Sequence, residues 1–461
     1  MRRLPDTLQQ TAAFIRDGRI LDLVDLALDA HDRHGARLNA YKTWDGPRVR
    51  EQAEALHRMI ATGVDLGPMM GIPVSVKDLY GVPGLPVFAG TSEALPGRWS
   101  RSGPVVSRLL AQMALVTGKT HTVEFAFGGI GINNHWGTPF NPWSRDDELR
   151  VPGGSSSGAG VSLLEGSAML ALGTDTAGSV RVPASFTGMV GLKTTFGRWS
   201  NDGIVPLSSS LDTPGILARS VQDVAYAFAA IDPHAPTIRP RELLGLRIGV
   251  PDSFFLDGVD PEIAALFQKQ LQVLEQAGAV LVSLDTPGCD EGFEIFRQGG
   301  LSAAELRSFI ERNFPEKIHT LDPLVKLRVE SAHSMSVIEY LRRREELAVR
   351  GREFTKLYER CDVIATPTVA ISAPALHELA EPGVYAQINM KVLRNTVIAN
   401  LFGQCALTMP MGLDGNAMPA GMQLMAAPRS EESLLAIAHA IETKIGGSRE
   451  LVGTPAGLTQ Q

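Results

Sequence analysis

Two loops built from small residues constrain this chain more than any other part of its sequence. Glycine and serine dominate the stretch Gly153–Gly160, and a second glycine-containing stretch, Gly173–Arg181, follows it. An ordered glycine loses about 0.5–1 kcal/mol more conformational freedom than alanine, so a packed protein seldom contains such a run without a purpose. The apolar run Ala168–Leu172 before the second loop predicts a buried strand, and α/β folds place active-site loops at strand ends. We expect a functional site here, with a flexible surface linker as the alternative for the first loop.

Familiar nucleophile, nucleotide and metal motifs do not explain these loops. Gly154–Gly158 formally matches the G-x-S-x-G nucleophile elbow, but that motif follows a buried strand and the charged stretch Ser144–Arg150 is not one. The Gly-Lys-Thr sequence at 118–120 looks like the end of a phosphate-binding loop, yet Met113 occupies the place of its first glycine. No H-E-x-x-H or comparable spacing of metal ligands is present. The sequence therefore predicts no nucleotide site, no metal and no cofactor.

Composition and charge exclude several classes of protein. The 461 residues include 43 lysines and arginines against 50 aspartates and glutamates, a net charge of −7, whereas nucleic-acid-binding proteins are strongly basic. No stretch approaches the roughly 18 consecutive apolar residues of a membrane helix. Proline and polar residues stand near the N-terminus where an export signal needs an apolar segment, so we expect a cytoplasmic protein. The 3 cysteines form no C-x-x-C pair, which argues against disulfides and a zinc site.

The pattern of apolar residues and turns predicts one large domain in three parts. In residues 1–65, apolar residues recur among charges at helical spacing, which predicts a helical N-terminal cap. Residues 66–235 contain short apolar runs separated by glycine and proline, as expected for a core of buried strands. Residues 236–461 contain a strand–helix–strand pattern over 246–284, a charged helical insertion over 291–352 and a hairpin turn at 414–416. We find no boundary clean enough to separate independent domains.

The residues around both loops resemble those of the amidase signature enzymes. That family has a GGSS loop followed by G-[ST]-D-x-x-G-S-[IL]-R-x-P, and this chain has GGSS at 153–156 and GTDTAGSVRVP at 173–183. The separation of 24 positions from Ser155 to Ser179 also agrees with the family. Further landmarks extend the resemblance over about 350 residues: GIPVSVKD at 71–78, GTPFNPW at 137–143, SLD at 210–212, TPT at 366–368 and PAGMQL at 419–424. The resemblance implies an α/β fold with a mixed, largely parallel central sheet covered by helices on both faces.

The resemblance implies a catalytic triad of Lys77, Ser155 and Ser179, with a cis peptide bond at Ser155. Ser179 would attack the substrate, Ser155 would relay the proton and Lys77 would accept it as the base. A lysine with the ordinary pKa near 10.4 is almost entirely charged at pH 7, so burial must first make it neutral. The apolar run Ile72–Val76 could carry Lys77 into a dry interior. The resemblance also implies an oxyanion hole of backbone N–H groups from four residues, Thr176, Ala177, Gly178 and Ser179.

Other residues of the loops are expected to support the site. Asp175 and Arg181 would hold the loops through hydrogen bonds or a mutual ion pair rather than take part in the chemistry. Ser156 would be a structural hydrogen-bond donor, with a catalytic role as the alternative. The stretch Glu124–Ile132 would line the acyl pocket by resemblance, with a simple packing turn as the alternative.

Three positions depart from the usual family pattern. Ala177 stands where glycine is common, and Val180 stands where isoleucine or leucine is common. If the backbone at Ala177 required a positive φ, its Cβ would distort the oxyanion hole. We expect alanine to be small enough for activity to survive. Ser157 replaces a frequent glycine, and we expect it to face solvent.

The resemblance implies an amidohydrolase that cleaves a carboxamide C–N bond through an acyl-serine intermediate. Its substrate would be a small-molecule amide, and we expect no direct binding to nucleic acid or to a membrane. A homodimer is one open possibility. Two alternatives remain, the glutamine-hydrolysing subunit of a tRNA-dependent amidotransferase and a catalytically silent binding protein of the same fold. The short N-terminal region favours a free-standing enzyme, and the complete triad favours an active one. The substrate is not predicted, because distant segments of the chain shape the pocket.

Overall fold

A single mixed sheet forms the centre of the computed structural model, which describes residues 4–234 and 238–459. Its strands are β1 (Tyr41–Trp44), β2 (Pro73–Lys77), β3 (Leu115–Thr120), β4 (Leu170–Asp175), β5 (Val190–Lys193), β6 (Thr213–Ala218), β7 (Arg247–Pro251), β8 (Val280–Leu284), β9 (Val363–Pro367), β10 (Cys405–Leu413) and β11 (Pro419–Ala426). In this part of the chain the 11 strands follow the order β1-β3-β2-β4-β6-β5-β10-β11-β9-β7-β8. Every one of these strands therefore belongs to one continuous sheet.

Strand directions confirm the predicted mixed sheet but not its predicted parallel character. Parallel pairs join β2 to β3 and β4, and β7 to β8 and β9. The six other pairs of described strands are antiparallel. The expectation of a largely parallel sheet was therefore wrong. A parallel pair needs a long crossover, whereas antiparallel neighbours such as β10 and β11 can be joined by a short turn.

The described part of the chain also contains α-helices, several of which contact the strands of the sheet. They are α1 (Leu8–Phe14), α2 (Ile20–Leu38), α3 (Gly46–Ala61), α4 (Pro104–Ala111), α5 (Ser157–Glu165), α6 (Arg181–Thr187), α7 (Val221–Ile231), α8 (Pro261–Gln276), α9 (Cys289–Arg297), α10 (Ser302–Asn313), α11 (Pro323–Ser331), α12 (Val337–Thr355), α13 (Pro382–Leu401), α14 (Glu431–Ile445), α15 (Ser448–Leu451) and α16 (Ala456–Thr459). None of the helices in the described ranges combines the length and the apolar character needed to cross a membrane.

The N-terminal part is mainly helical but also contributes a strand to the sheet. Helices α1, α2 and α3 lie in this part of the chain. Strand β1 was missed; it pairs with β3 at the sheet edge, where Tyr41 lies opposite Thr120. A strand of 4 residues is too short to show an alternating pattern that could be recognised in the sequence. The predicted boundary at residues 235–236 lies outside the described residues.

The C-terminal part contains the predicted strand–helix–strand unit. Strands β7 and β8 pair in parallel and α8 connects them. The charged segment that follows forms α9 to α12. The predicted hairpin is formed by β10 and β11, which pair antiparallel from Cys405 opposite Ala426 to Leu413 opposite Pro419.

Successive residues of the central strands contact different apolar clusters. In β10, Leu407 and Met409 belong to one buried cluster and Ala406 belongs to another. In β9, Val363 and Ile364 are divided in the same way. Because neighbouring side chains of a strand point to opposite faces, the sheet is covered on both of them, as predicted.

Two neighbouring parallel strands bring the predicted loops together. Strand β2 ends at Lys77 and β4 ends at Asp175, and the strands pair in register with Val76 opposite Leu172. The carboxyl ends of parallel strands meet at the same edge of a sheet. The loop after β4 leads into α6, while the GGSS loop leads into α5, which packs against β4. The sheet edge at the ends of β2 and β4 is therefore where the candidate site lies.

Candidate active site

Lys77 is a buried lysine held between two hydroxyl groups. Its Nζ atom lies 2.8 Å from the Oγ atom of Ser155 and 2.8 Å from the Oγ1 atom of Thr174. Burial lowers the pKa of Lys77 to about 7, although the carboxyl groups of Asp212 and Asp175 act in the opposite direction. A lysine with a pKa near neutrality can accept a proton at physiological pH.

The GGSS loop places Ser155 just before α5. The Gly154–Ser155 peptide bond is cis. A Cβ atom at Gly154 would lie 2.7 Å from the Cα atom of Gly131, so the close approach of these two segments requires glycine. Ser157 is buried and its Oγ atom has no hydrogen-bond partner among the described atoms. The prediction that Ser157 faces solvent was therefore wrong, because the first turn of α5 is enclosed by the surrounding segments.

Ser179 lies in the loop between β4 and α6 and contributes to the wall of a cavity of about 450 Å³. Its carbonyl oxygen accepts a hydrogen bond of 3.2 Å from the N–H group of Ser156. This bond joins the two predicted loops. The described side chains form no hydrogen bond between the hydroxyls of Ser155 and Ser179. The structure thus brings Lys77 and Ser155 into direct contact and holds Ser179 beside them through the backbone.

A buried ion pair connects the end of β4 to the start of α6. The Nη2 atom of Arg181 lies 2.9 Å from the Oδ1 atom of Asp175, and both side chains are fully buried. Burial disfavours the charged form of Asp175, but Arg181 outweighs this effect and the pKa of Asp175 falls to about 2. Arg181 also donates hydrogen bonds to the carbonyl oxygen of Thr396 at 2.7 Å and to the side-chain oxygen of Asn400 at 2.6 Å. The pair thereby ties the loop to α13.

One of the four N–H groups predicted for the oxyanion hole already has a hydrogen-bond partner in the loop. The N–H group of Gly178 donates a hydrogen bond of 2.8 Å to Asp175, so it is already occupied. Gly178 has a φ of 129°, and a Cβ atom there would collide with the hydroxyl of Thr396. Ala177 is not among the residues with positive φ, so alanine is accommodated at this position without that strain. The N–H groups of Thr176, Ala177 and Ser179 are left as candidate donors.

Several residues around the site were not predicted. Asp212 accepts a hydrogen bond of 2.6 Å from the Oγ1 atom of Thr176 and further bonds from two backbone N–H groups. Burial raises the pKa of Asp212 to about 6. Its SLD motif was noted in the sequence, but nothing there indicated a role. Thr396 and Asn400 come from α13, more than 200 residues beyond the loops, where no local pattern signals contact with them.

The cavity beside Ser179 has a largely apolar wall with two arginines. The stretch 124–132 contributes Ala126, Phe127 and Gly128, and α13 contributes Met390 and Leu393 among others. Arg297 and Arg328 also line it, and its described lining contains no aspartate or glutamate. A larger cavity of about 710 Å³ borders α12, but no predicted catalytic residue lines it. The smaller cavity is therefore the candidate substrate site.

Comparisons with known proteins identify the family. A family model described as amidase matches residues 22–435. The chain is 57% identical over 436 residues to the 2-amino-5-chloromuconic acid deaminase of Comamonas testosteroni, and the match covers 94% of each chain. It is 33% identical over 461 residues to a glutamyl-tRNA(Gln) amidotransferase subunit of Gluconobacter oxydans (strain 621H), covering 92% of each chain. By name, that relative is part of a larger enzyme.

A similar fold occurs in a solved structure. The crystal structure of an amidase matches with a TM-score of 0.86 and 28% sequence identity, covering 95% of this chain and 100% of that chain. Fold, loops and sequence similarity thus agree over nearly the whole chain, and the predicted family is confirmed. This chain belongs to the amidase family and is a hydrolase that cleaves amide-type C–N bonds.

Proposed function

We propose that Ser179 is the nucleophile of this hydrolase, Ser155 the proton relay and Lys77 the base. The observation that carries the proposal is the buried 2.8 Å contact between Lys77 Nζ and Ser155 Oγ, next to the loop that presents Ser179 to the cavity. A base held in this way is close to neutral at pH 7 because burial lowers its pKa to about 7. The remaining contact, between the hydroxyls of Ser179 and Ser155, is of the kind that often forms or tightens only when substrate binds.

The proposed reaction proceeds in two stages. Ser179 Oγ attacks the carbonyl carbon and passes its proton to Ser155, while Ser155 passes its own proton to Lys77. The tetrahedral intermediate collapses to an acyl-serine as the C–N bond breaks, and the leaving nitrogen takes the proton held by Lys77. Water then attacks the ester carbon, gives a proton to the same relay and releases the carboxylate. Ser179 recovers its hydroxyl proton in this step.

The backbone after β4 would stabilise the negative charge that develops on the carbonyl oxygen. We assign this role to the N–H groups of Thr176, Ala177 and Ser179. One preorganised donor of this kind is worth about 2.7–4 kcal/mol in the transition state. The hydrogen bond from Thr176 to Asp212 holds the loop, and the bond from Gly178 to Asp175 fixes its next turn. Asp175, Arg181 and Asp212 are therefore positioning residues in this proposal.

We infer that the three sequence parts form one domain, with a small molecule as substrate. One apolar cluster contains Leu8 of α1, Val74 of β2, Ile248 of β7 and Ile441 of α14, which supports a shared core. The cavity of about 450 Å³ has the size of a small-molecule site and suits a compact substrate.

A second candidate reaction is the deamination of an unsaturated 2-amino acid. It is favoured by the 57% identity to the 2-amino-5-chloromuconic acid deaminase across 94% of both chains. In such a substrate the carbon that bears the amino group takes the place of the amide carbonyl carbon. Its imine tautomer adds water and expels ammonia, which leaves an oxo group. Glutamine hydrolysis for a tRNA-dependent partner is a weaker candidate, because the identity to the amidotransferase relative is 33%.

Covalent labelling tests the proposed nucleophile. A fluorophosphonate probe should label the wild-type enzyme at Ser179, as read by peptide mass spectrometry, and the Ser179→Ala variant should not react. Ser157→Ala is the matched control, because Ser157 is a neighbouring buried serine outside the proposed triad, and it should label normally. Labelling of another serine in the Ser179→Ala variant would overturn the assignment.

Release of ammonia, or of hydrazine from the hydrazides, distinguishes the candidate reactions. The panel contains aliphatic, aromatic, ureido and hydrazide amides, glutamine and 2-aminomuconic acid. Preferred turnover of an amide supports the first reaction, and preferred turnover of 2-aminomuconic acid supports the second. Preferred turnover of glutamine would instead support the amidotransferase alternative.

A further inference from the structure

We propose that Arg328 binds a carboxylate of the substrate and thereby selects acidic substrates, an inference that rests on the proposed site at Ser179. Arg328 lies on α11 and lines the same cavity as Ser179. Its Nη1 atom donates a hydrogen bond of 2.7 Å to the carbonyl oxygen of Phe127. Its Nη2 atom is buried and has no hydrogen-bond partner among the described atoms. A buried charged donor without an acceptor is costly, and a bound anion would supply the acceptor.

No acidic side chain in the described cavity wall competes for this guanidinium. Arg297 is the other cation of the wall, but Glu294 accepts hydrogen bonds from it at 2.7 and 2.9 Å. The described residues form no ion pair with Arg328. Of the two arginines, Arg328 is therefore the one whose charge lacks a counterion within the described part of the protein.

Aromatic rings hold the guanidinium of Arg328 in place. Its Cζ atom lies 5.4 Å from the ring centroid of Phe127 and 5.5 Å from that of Tyr385. Both distances are within the range of cation–π attraction. With one nitrogen already bound to the Phe127 carbonyl, the side chain has a restricted orientation before any ligand arrives. A planar, preoriented guanidinium is well suited to a carboxylate, which it can bind through paired hydrogen bonds.

The arrangement indicates the class of substrate. One end of the molecule would present its C–N bond to Ser179, and a carboxylate at another position would meet Arg328. Apolar side chains of the same cavity, including Met390 and Leu393, suit a short hydrocarbon segment between the two groups. A small amide or 2-amino acid with a carboxylate separated from the reacting carbon has this form. The name of the 57% identical relative, 2-amino-5-chloromuconic acid deaminase, also denotes a carboxylic acid substrate.

Ligand binding to a catalytically blocked enzyme tests this role separately from catalysis. In a Ser179→Ala background, calorimetry would compare cis,cis-muconate with its uncharged dimethyl ester. Adding Arg328→Gln should weaken muconate binding by at least about tenfold, the loss expected for a hydrogen bond between charged groups. Binding of the dimethyl ester should change little, and Arg328→Lys should recover part of the muconate affinity. Arg342→Gln is the control, because Arg342 is an exposed arginine of α12 outside the cavity wall.

The inference and the proposed function fail in different ways. Equal muconate affinity in the Ser179→Ala background with and without Arg328→Gln would overturn the role of Arg328. Absence of muconate binding to the Ser179→Ala background would overturn it as well. Failure of a fluorophosphonate to label Ser179 in the wild type would overturn the assignment of Ser179 as the nucleophile. The calorimetric comparison of the Arg328 variants would remain valid. Arg328→Gln alone, with Ser179 intact, should react normally with the fluorophosphonate, which would show that the Arg328→Gln protein is folded.

Discussion

The Nζ atom of Lys77 lies 2.8 Å from the Oγ atom of Ser155, and both side chains are fully buried. This contact joins the end of a central strand to a loop 78 residues further along the chain. It places a group whose pKa burial lowers to about 7 against the hydroxyl that would relay a proton from the nucleophile.

The pH dependence of activity should follow the ionisation of Lys77. The base acts only when neutral, so kcat/KM should rise with pH through an apparent pKa near 7 and level off above it. Stopped assays of ammonia release between about pH 5 and 9 measure this profile. Lys77→Met should lower kcat/KM by about 100- to 10,000-fold. An unchanged profile and rate in Lys77→Met would show that another group is the base.

Removal of the Asp175 charge should destabilise the fold. Asp175→Asn would leave Arg181 buried and uncompensated, a change that costs about 3–5 kcal/mol in the free energy of unfolding. Urea denaturation measures this loss. Asp147→Asn is the control, because Asp147 forms an exposed ion pair with Arg145, and it should leave the unfolding midpoint unchanged. Equal midpoints for the two variants would contradict the structural role of the buried pair.

The stabilising contribution of Asp175 should also depend on pH. Its pKa is lowered in the folded state, from 3.8 to about 2, with burial opposing the charge and Arg181 outweighing burial. The folded state therefore binds the proton less readily than the unfolded state. Stability from this group is fully present above pH 3.8 and is lost as pH falls towards 2. In acid unfolding curves, wild type and Asp175→Asn should differ most near neutrality and converge at the lowest pH.

An exchange of glycine and alanine should abolish labelling at one of two adjacent loop positions and leave it unchanged at the other. Gly178→Ala adds a Cβ atom at a φ of 129° that would collide with Thr396, so fluorophosphonate labelling should be lost or greatly slowed. Ala177→Gly should label at a rate close to that of the wild type, since Ala177 does not have a positive φ. Normal labelling of Gly178→Ala, with a normal circular dichroism spectrum, would contradict the assigned loop geometry.

The buried hydroxyl of Ser157 should contribute nothing to stability. It has no hydrogen-bond partner among the described atoms, so Ser157→Ala should leave the free energy of unfolding unchanged or raise it. Ser162 is a matched comparison on the same helix, because its hydroxyl bonds to the Ala159 carbonyl at 2.7 Å and to Ser75 at 2.8 Å. Ser162→Ala should cost about 1 kcal/mol in urea denaturation. A larger loss for Ser157→Ala would reveal an unrecognised partner.

Local patterns predicted most of the regular structure but not the direction of its strand pairs. The strand–helix–strand unit and the hairpin of β10 and β11 follow from apolar periodicity and turn residues. Strand β1 was not predicted because it is short. The sheet was predicted to be largely parallel, but most of its described strand pairs are antiparallel. Strand direction depends on how distant segments meet in the sheet, and periodicity within one segment carries no information about it.

The sequence by itself identified the two small-residue loops, and its resemblance to the amidase signature enzymes identified the family and Lys77, Ser155 and Ser179 as candidates, because these motifs are contiguous in the chain and can be recognised before it folds. Only the tertiary structure decided that Ser157 is buried and that the Gly178 N–H group is occupied by Asp175. Only the tertiary structure, too, brought Arg328 to the cavity of Ser179. The physical reason is that burial and cavity walls depend on segments far apart in the chain, which meet only when the sheet has formed.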